Sequence, residues 1–150
     1  MEQKQRTPRQ RWMSVLARAD AEMLQKHWEK LALTPQYQSV RAPEIGLAQV
    51  RARMGGTGNA FNMGDVTITR SVVRLASGEL GYSYITGRNK RHAELAAVVD
   101  ALMQTAAHDV LQQNLISTLA AEKAEQEQLR AREVAASKVD FFTMVRGEDE

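Results

Sequence analysis

The 150-residue chain contains no cysteine. Disulfides, thiolate nucleophiles and iron–sulfur ligation by its own side chains are excluded, and the absence suits a reducing compartment. No run of about eighteen apolar residues occurs, so no membrane-spanning helix is expected. The opening Met1 to Thr7 leads into no apolar signal-peptide core. The cytoplasm is the expected compartment. Aromatic residues make up only 5% of the chain, and Trp12 and Trp28 are expected as core or interface anchors. Seven methionines suit adaptable packing surfaces. His27, His92 and His108 lie far apart, with no metal-ligand spacing, so no metal is expected. His92-Ala93-Glu94 has the H-x-E form of zinc deaminases without their cysteine pair. No serine sits in a nucleophile elbow. The chain carries no self-sufficient catalytic set, and no catalytic residue is assigned.

What is present is ordinary in bulk. Apolar residues are 43% and charged residues 25% of the chain, as in soluble globular proteins. The length suits a single domain over residues 1–150. Net charge is only +2, but it is unevenly placed. Between Arg41 and Arg91 lie eight basic residues (Arg41, Arg51, Arg53, Arg70, Arg74, Arg88, Lys90, Arg91) against three acidic ones (Glu44, Asp65, Glu79), a local +5. A basic middle points to an anionic partner there.

Residues 1–6 are polar and expected to fray. Thr7-Pro8 predicts an N-cap and a proline-initiated helix bearing Trp12, Val15 and Leu16. Asp20 caps a second helix with Met23, Leu24, Trp28 and Leu31 on one face, ended by Thr34-Pro35. From Gln36 to Thr86 the period shifts towards two. Tyr37 to Ala42 is a weak strand. Leu47 to Met54 is a half-buried one, with Arg51 and Arg53 on its open face. The apolar parity after Val66 and Ile68 slips near Arg70-Ser71, which predicts a bulge. Ser77-Gly78 turns the chain into a strand with Leu80, Tyr82 and Tyr84 towards the core. Asn89 caps a long helix with Leu95, Val99, Leu102, Ala106 and Val110 as its stripe, expected to reach about Leu115. Residues 117–136 form a polar helical arm. Residues 137–150 form a tail with Val139, Phe141, Phe142, Met144 and Val145 as docking candidates, either on another chain or on the chain's own sheet. The expected fold class is α+β: an N-terminal helical hairpin, a three- to four-stranded antiparallel meander, and long C-terminal helices with an extended docking tail.

The stretch Arg51 to Asp65 holds the sharpest site candidate. Two arginines precede Gly55, Gly56 and Gly58. Glycine lets backbone N–H groups approach a ligand, and successive N–H groups can form an anion-binding concavity. Arginines beside it supply forked donors to phosphate or phosphonate oxygens. Arg88 and Lys90, at a helix start, are further oxyanion candidates: an anion there would offset the cost of cations at the positive end of the helix dipole. A plain turn and solvated side chains explain the same residues. The stretch matches neither the Walker loop nor the dinucleotide fingerprint.

Beyond these physical arguments, the segments Arg51-Ala-Arg53-Met-Gly55-Gly56-Thr-Gly58, Gly64-Asp65, Gly81-Tyr82, Gly87-Arg88, His92-Ala93-Glu94 and Asp100-Ala-Leu-Met103 resemble PhnG, the G-subunit family of the bacterial carbon–phosphorus lyase core complex. So do the early Arg9-x-x-Trp12-Met-Ser-Val-Leu16 segment and the closing Ser137-Lys-Val-Asp140-Phe-Phe-Thr-Met-Val-Arg146-Gly147 run. The resemblance implies a subunit acting with PhnH, PhnI and PhnL. Together they attach the ribose 5-triphosphate of ATP to methylphosphonate and release adenine. It implies a core complex with PhnH, PhnI and PhnJ, with the iron–sulfur cluster on PhnJ and nucleosidase chemistry on PhnI. This chain would hold no cofactor, ATP entering as substrate of the complex. No catalytic residue is carried over. A purely structural assembly subunit without ligand contact is the alternative. Nucleic-acid binding ranks below both, because Tyr82 and Tyr84 are expected to face the core rather than stack bases.

Overall fold

A computed structural model describes the backbone of residues 6–53 and 60–148, and the side chains of residues 6–49 and 64–138. The expected fraying of residues 1–6 therefore lies almost wholly outside the described residues.

Helix α1 spans Pro8–Arg18. Thr7 and Gln10 cap it reciprocally: Gln10 N–H donates to Thr7 Oγ1 at 3.2 Å, and Thr7 N–H to Gln10 Oε1 at 2.9 Å. Helix α2 spans Ala21–Leu31, with Asp20 Oδ1 accepting from Glu22 N–H at 2.9 Å. It ends at Ala32 in the left-handed region, φ 52°. The hairpin buries Trp12, Leu16 and Leu24 in the main core.

Strands β1 (Tyr37–Arg53), β2 (Ala60–Leu75) and β3 (Leu80–Thr86) form an antiparallel sheet in the order β1-β2-β3. The two separate strands expected before the glycines are one. Its register shifts between Ser39 and Arg41 and between Arg41 and Glu44, around Pro43. Proline has no N–H for the ladder, so the irregularity belongs there. β2 pairs with β3 without a break through Thr69↔Ile85, Arg70↔Tyr84 and Ser71↔Ser83. The bulge expected in β2 at Arg70-Ser71 is thus absent. The apolar parity slips because the buried face of β2 carries Thr69 and Ser71 before Val73 and Leu75. Thr69 Oγ1–H donates to the Gly87 carbonyl at 2.7 Å.

In β3 the buried residues are Gly81, Ser83 and Ile85, while Tyr82 and Tyr84 lie on the outer face. This reverses the expected orientation, and the cause is close packing. Helix α3 (Lys90–Leu102) crosses this face. A Cβ placed on Gly81 would lie 1.9 Å from the Ala97 carbonyl oxygen and 2.8 Å from Ala101 Cβ. Ala93, Ala97 and Ala101, four residues apart along one line of the helix, are fully buried. Small residues on both sides bring helix and strand together, and there is no room for tyrosine rings between them.

The helix expected to reach Leu115 stops at Leu102. Thr105 Oγ1–H donates to the Leu102 carbonyl at 2.5 Å and accepts from Ala107 N–H at 3.2 Å, which satisfies the turn. The chain then re-enters helix as α4 (His108–Leu111), a π-helical turn (Gln112–Ile116) and α5 (Ser117–Glu148). Val110, assigned to the apolar stripe, is 50% exposed, whereas Leu111, Leu115, Ile116 and Leu119 are buried in the core. The wider π turn lets residues five apart, Leu111 and Ile116, share a face. The polar arm is helical as expected. The tail does not leave it: residues 137–148 continue α5 instead of extending. Nothing between Ser117 and Arg146 breaks a helix, glycine first appearing at Gly147.

Gly81→Ala is expected to destabilise the protein by about 3 kcal/mol or more, because the added methyl meets backbone and a packed alanine, not the end of a flexible side chain. Urea unfolding measures it. A change below about 1 kcal/mol would show that α3 and β3 have slack between them.

Candidate functional site

The sequence-selected cations occupy two stations. Arg88 and Lys90 lie where β3 ends. Gly87 there takes φ 105°, and its N–H donates to the Thr67 carbonyl at 2.8 Å. Asn89 Oδ1 accepts from His92 N–H at 3.0 Å and caps α3. Arg88, Lys90 and Arg91 are exposed around this helix start. Beyond Ile68↔Thr86 and the Gly87 N–H on the Thr67 carbonyl nothing continues the sheet on that side, so among the described residues 48–53 of β1 and 60–66 of β2 pair only with each other. In this two-stranded ribbon Gly64 has φ 132° beside a register shift at Val50/Arg51, a conformation that favours glycine. Arg51 pairs with Asn62 and Arg53 with Ala60, in the distal part of the ribbon. At ~3.3 Å per residue, Ala60 lies roughly 20 Å along β2 from Thr67. Arg88 and Lys90 therefore sit at the base of the ribbon and the Arg51–Arg53 pair near its far end. Gly55, Gly56 and Gly58 lie outside the described residues, as do the side chains of Arg51 and Arg53.

The docking candidates Val139, Phe141, Phe142, Met144 and Val145 fall in the last turns of α5, and their side chains are likewise outside the described residues. α5 is tied to α2 near its start, where His27 Nε2 and Glu122 Oε1 lie 2.8 Å apart. From Ala124 to Lys138 every residue is exposed, including Leu129 and Val134. At ~1.5 Å per residue the helix is roughly 48 Å long.

The most connected polar group was not selected from the sequence. Asp100 on α3 is fully buried. Its Oδ1 accepts from Trp12 Nε1–H at 2.7 Å and Arg9 Nε–H at 3.2 Å; its Oδ2 accepts from Arg9 Nη2–H and Tyr82 N–H, both at 2.9 Å. Arg9 Nη2–H also reaches the Leu80 carbonyl at 3.3 Å, and its guanidinium carbon lies 5.5 Å from the centre of the Tyr82 ring. The hydrogen bond to Asp100 holds the Arg9 guanidinium above its ordinary pKa, against the opposing effect of partial burial. Two signals marked this hub: a carboxylate inside the otherwise apolar run 95–103, a residue type rarely buried unless paired, and Arg9 with Trp12 one turn apart on α1. Their meeting across 91 residues of chain is not written in either segment.

His92 is also structural. It is buried, and its Nε2–H donates to the Leu16 carbonyl at 2.8 Å. Burial lowers its pKa, partly offset by that hydrogen bond. Among the described residues no group of three or more histidines and carboxylates gathers as a metal site, and no helix is long and apolar enough to cross a membrane.

This is an α+β protein with a three-stranded antiparallel sheet, a helical hairpin and a long terminal helix that is exposed from Ala124 to Lys138. The family model described as "Phosphonate metabolism protein PhnG" matches residues 7–147. A curated relative from Rhizobium meliloti (strain 1021), "Alpha-D-ribose 1-methylphosphonate 5-triphosphate synthase subunit PhnG", is 44% identical over 141 residues, covering 94% of this chain and 90% of the relative. The chain belongs to the PhnG family.

Two measurements check the buried groups. Asp100→Ala leaves Arg9, the Trp12 indole and the Tyr82 amide without their acceptor, and is expected to cost about 3 kcal/mol in urea unfolding. For His92, the folded pKa lies below the unfolded value of about 6.5, so the unfolded chain binds the proton first. Stability from this residue is complete above about pH 6.5 and is lost as pH falls towards the lower folded pKa. The urea midpoint should therefore drop between pH 7.5 and 5.5 by more in the native chain than in His92→Gln.

Proposed function

We propose that this chain is the G subunit of an alpha-D-ribose 1-methylphosphonate 5-triphosphate synthase and acts in phosphonate metabolism only when assembled. The 44% identity to the relative of that name, over 94% of the chain, carries the reading. The chain would be part of a transferase that moves the ribose 5-triphosphate of ATP to methylphosphonate with loss of adenine. Its partners would be PhnI, PhnH and PhnJ in the core complex, with PhnL, in the cytoplasm. It would hold no cofactor of its own.

Both substrates of that reaction are oxyanions. Displacement at the anomeric carbon passes through an oxocarbenium-like state, and holding two mutually repelling anions in place is a large share of the work. The ribbon with Arg51, Arg53 and the Gly55, Gly56 and Gly58 turn would present cations and backbone N–H groups to one anion. Arg88 and Lys90 at the ribbon base would serve a second anion or the near end of an extended triphosphate. The alternative, an assembly subunit that touches no ligand, is favoured by the uncovered length of α5 and makes Val139, Phe141, Phe142, Met144 and Val145 the contacts that matter.

Arg53→Ala in the assembled complex separates the two. Loss of one forked donor to a phosphate or phosphonate should lower turnover of ATP and methylphosphonate by about tenfold or more, with the complex intact by sizing. Native turnover in an intact complex would remove the anion-positioning role and leave assembly.

A further inference from the structure

We infer that the free edge of β3, at Tyr82 and Tyr84, takes up an extended backbone segment from a partner subunit as a fourth strand, seated in the cleft between β3 and α1. The inference rests on the subunit reading above and adds where and how a partner would be gripped.

The edge is identified by the direction of the backbone. Glu79 carbonyl accepts from Leu75 N–H, and Gly87 N–H donates to Thr67, so the odd-numbered residues of β3 face β2. The even-numbered ones face away, as three hydrogen bonds confirm: Tyr82 N–H donates to Asp100, and the Leu80 carbonyl accepts from Arg9 and from Gln104 Nε2–H at 2.7 Å. The chain therefore closes the first part of its own edge with side chains. It stops there. The Tyr82 carbonyl and the N–H and carbonyl of Tyr84 also point outward, and neither a side chain nor another strand among the described residues bonds them. An acceptor, a donor and an acceptor in line, at strand spacing, are met by another backbone.

The space beside them has the matching shape and chemistry. A cleft of about 700 Å³ lies between this edge and α1, lined by Gln10, Met13, Ser14 and Ala17 on the helix and by Tyr82 and Tyr84 on the strand. Side chains of an added strand would alternate between the Met13 and Ala17 side and the solvent side. Arg6 stands at the rim, and no acidic residue lines the cleft. Asp100, the nearby carboxylate, is already engaged by Arg9. The segment that fits is therefore extended, apolar at inward positions, and carries a carboxylate towards Arg6. The Asp100 hub fixes α1 against β3 and so holds the cleft open before any partner arrives.

Proline at position 84 is the decisive substitution. The Tyr84 N–H makes no bond to β2, so Tyr84→Pro removes the outward donor while the ladder to β2 keeps its bonds. Tyr84→Val keeps the donor and removes only the ring. Each variant is co-expressed with the other subunits of its own synthase, and assembly is measured by sizing and titration. Amide exchange at Tyr84 is compared in the isolated chain and in the complex. The expected result is at least about tenfold weaker assembly for Tyr84→Pro and near-native assembly for Tyr84→Val. The Tyr84 amide of the native chain should be slow to exchange only in the complex. An intact native complex with an unprotected Tyr84 amide, or with Tyr84→Pro assembling like Tyr84→Val, overturns this inference and leaves the subunit reading standing. A native chain that joins no other subunit overturns both. A Tyr84→Pro chain that fails to fold alone shifts the decision to the exchange measurement on the native protein.

Discussion

The buried Asp100 carboxylate is the constraint on which the arrangement of this molecule rests. A charge removed from water is tolerated only when its oxygens are fully engaged. Here α1 supplies a guanidinium and an indole N–H, and β3 supplies a backbone N–H. One carboxylate thus sets the position of a helix from the start of the chain, a strand from its middle and the helix that carries it. Hydrophobic burial by itself would let α1 slide along α3, since apolar contact is not directional. Three directed hydrogen bonds from Arg9 and Trp12 do not allow that.

The contact between α3 and the sheet follows a different logic. Ala93, Ala97 and Ala101 meet Gly81 and Ser83 so closely that backbone nearly touches backbone. Ser83 Oγ–H donates to the Ala93 carbonyl at 2.6 Å, which satisfies a polar group that such proximity would otherwise strand. Excluding large side chains from this layer has an outward consequence: Tyr82 and Tyr84 stand on the other face of β3. The open edge has a separate cause, since β3 is the last strand of the sheet and alternate backbone groups of such a strand face away from its neighbour.

The body is small, and its longest elements exceed it. Among the described residues the far part of the two-stranded ribbon pairs with no third strand, and α5 is exposed from Ala124 to Lys138. A helix as polar as residues 124–138 gains little from its own chain, and an isolated ribbon is at best marginal in water. These features agree with membership of a family whose curated relative is named as a synthase subunit. The proposed anion stations lie on the ribbon and at its base, away from the Asp100 hub, so the part that holds shape and the part that would meet substrate are separate.

Local signals were legible in the chain. Thr7-Pro8, Asp20 and Asn89 announce their caps because capping depends on residues within one turn. Period-two stretches announced an antiparallel meander, and the motif spacing carried the family. The buried parity of β2 and β3 departs from the apolar one, because periodicity reports which residues are apolar, not which face is buried. Thr69, Ser71, Gly81 and Ser83 are small or polar, yet they form the inner layer. The end of α3 was hidden for a related reason: Gln104 and Thr105 close the turn through hydrogen bonds, one of them to the distant Leu80 carbonyl. Sequence by itself determined the α+β class, the helix caps and the kinship, since these are set by neighbours along the chain. Only the tertiary structure decided which face of the sheet is covered, where the arginines lie relative to one another, and that Asp100 joins three elements, because each depends on residues brought together from far apart in the chain.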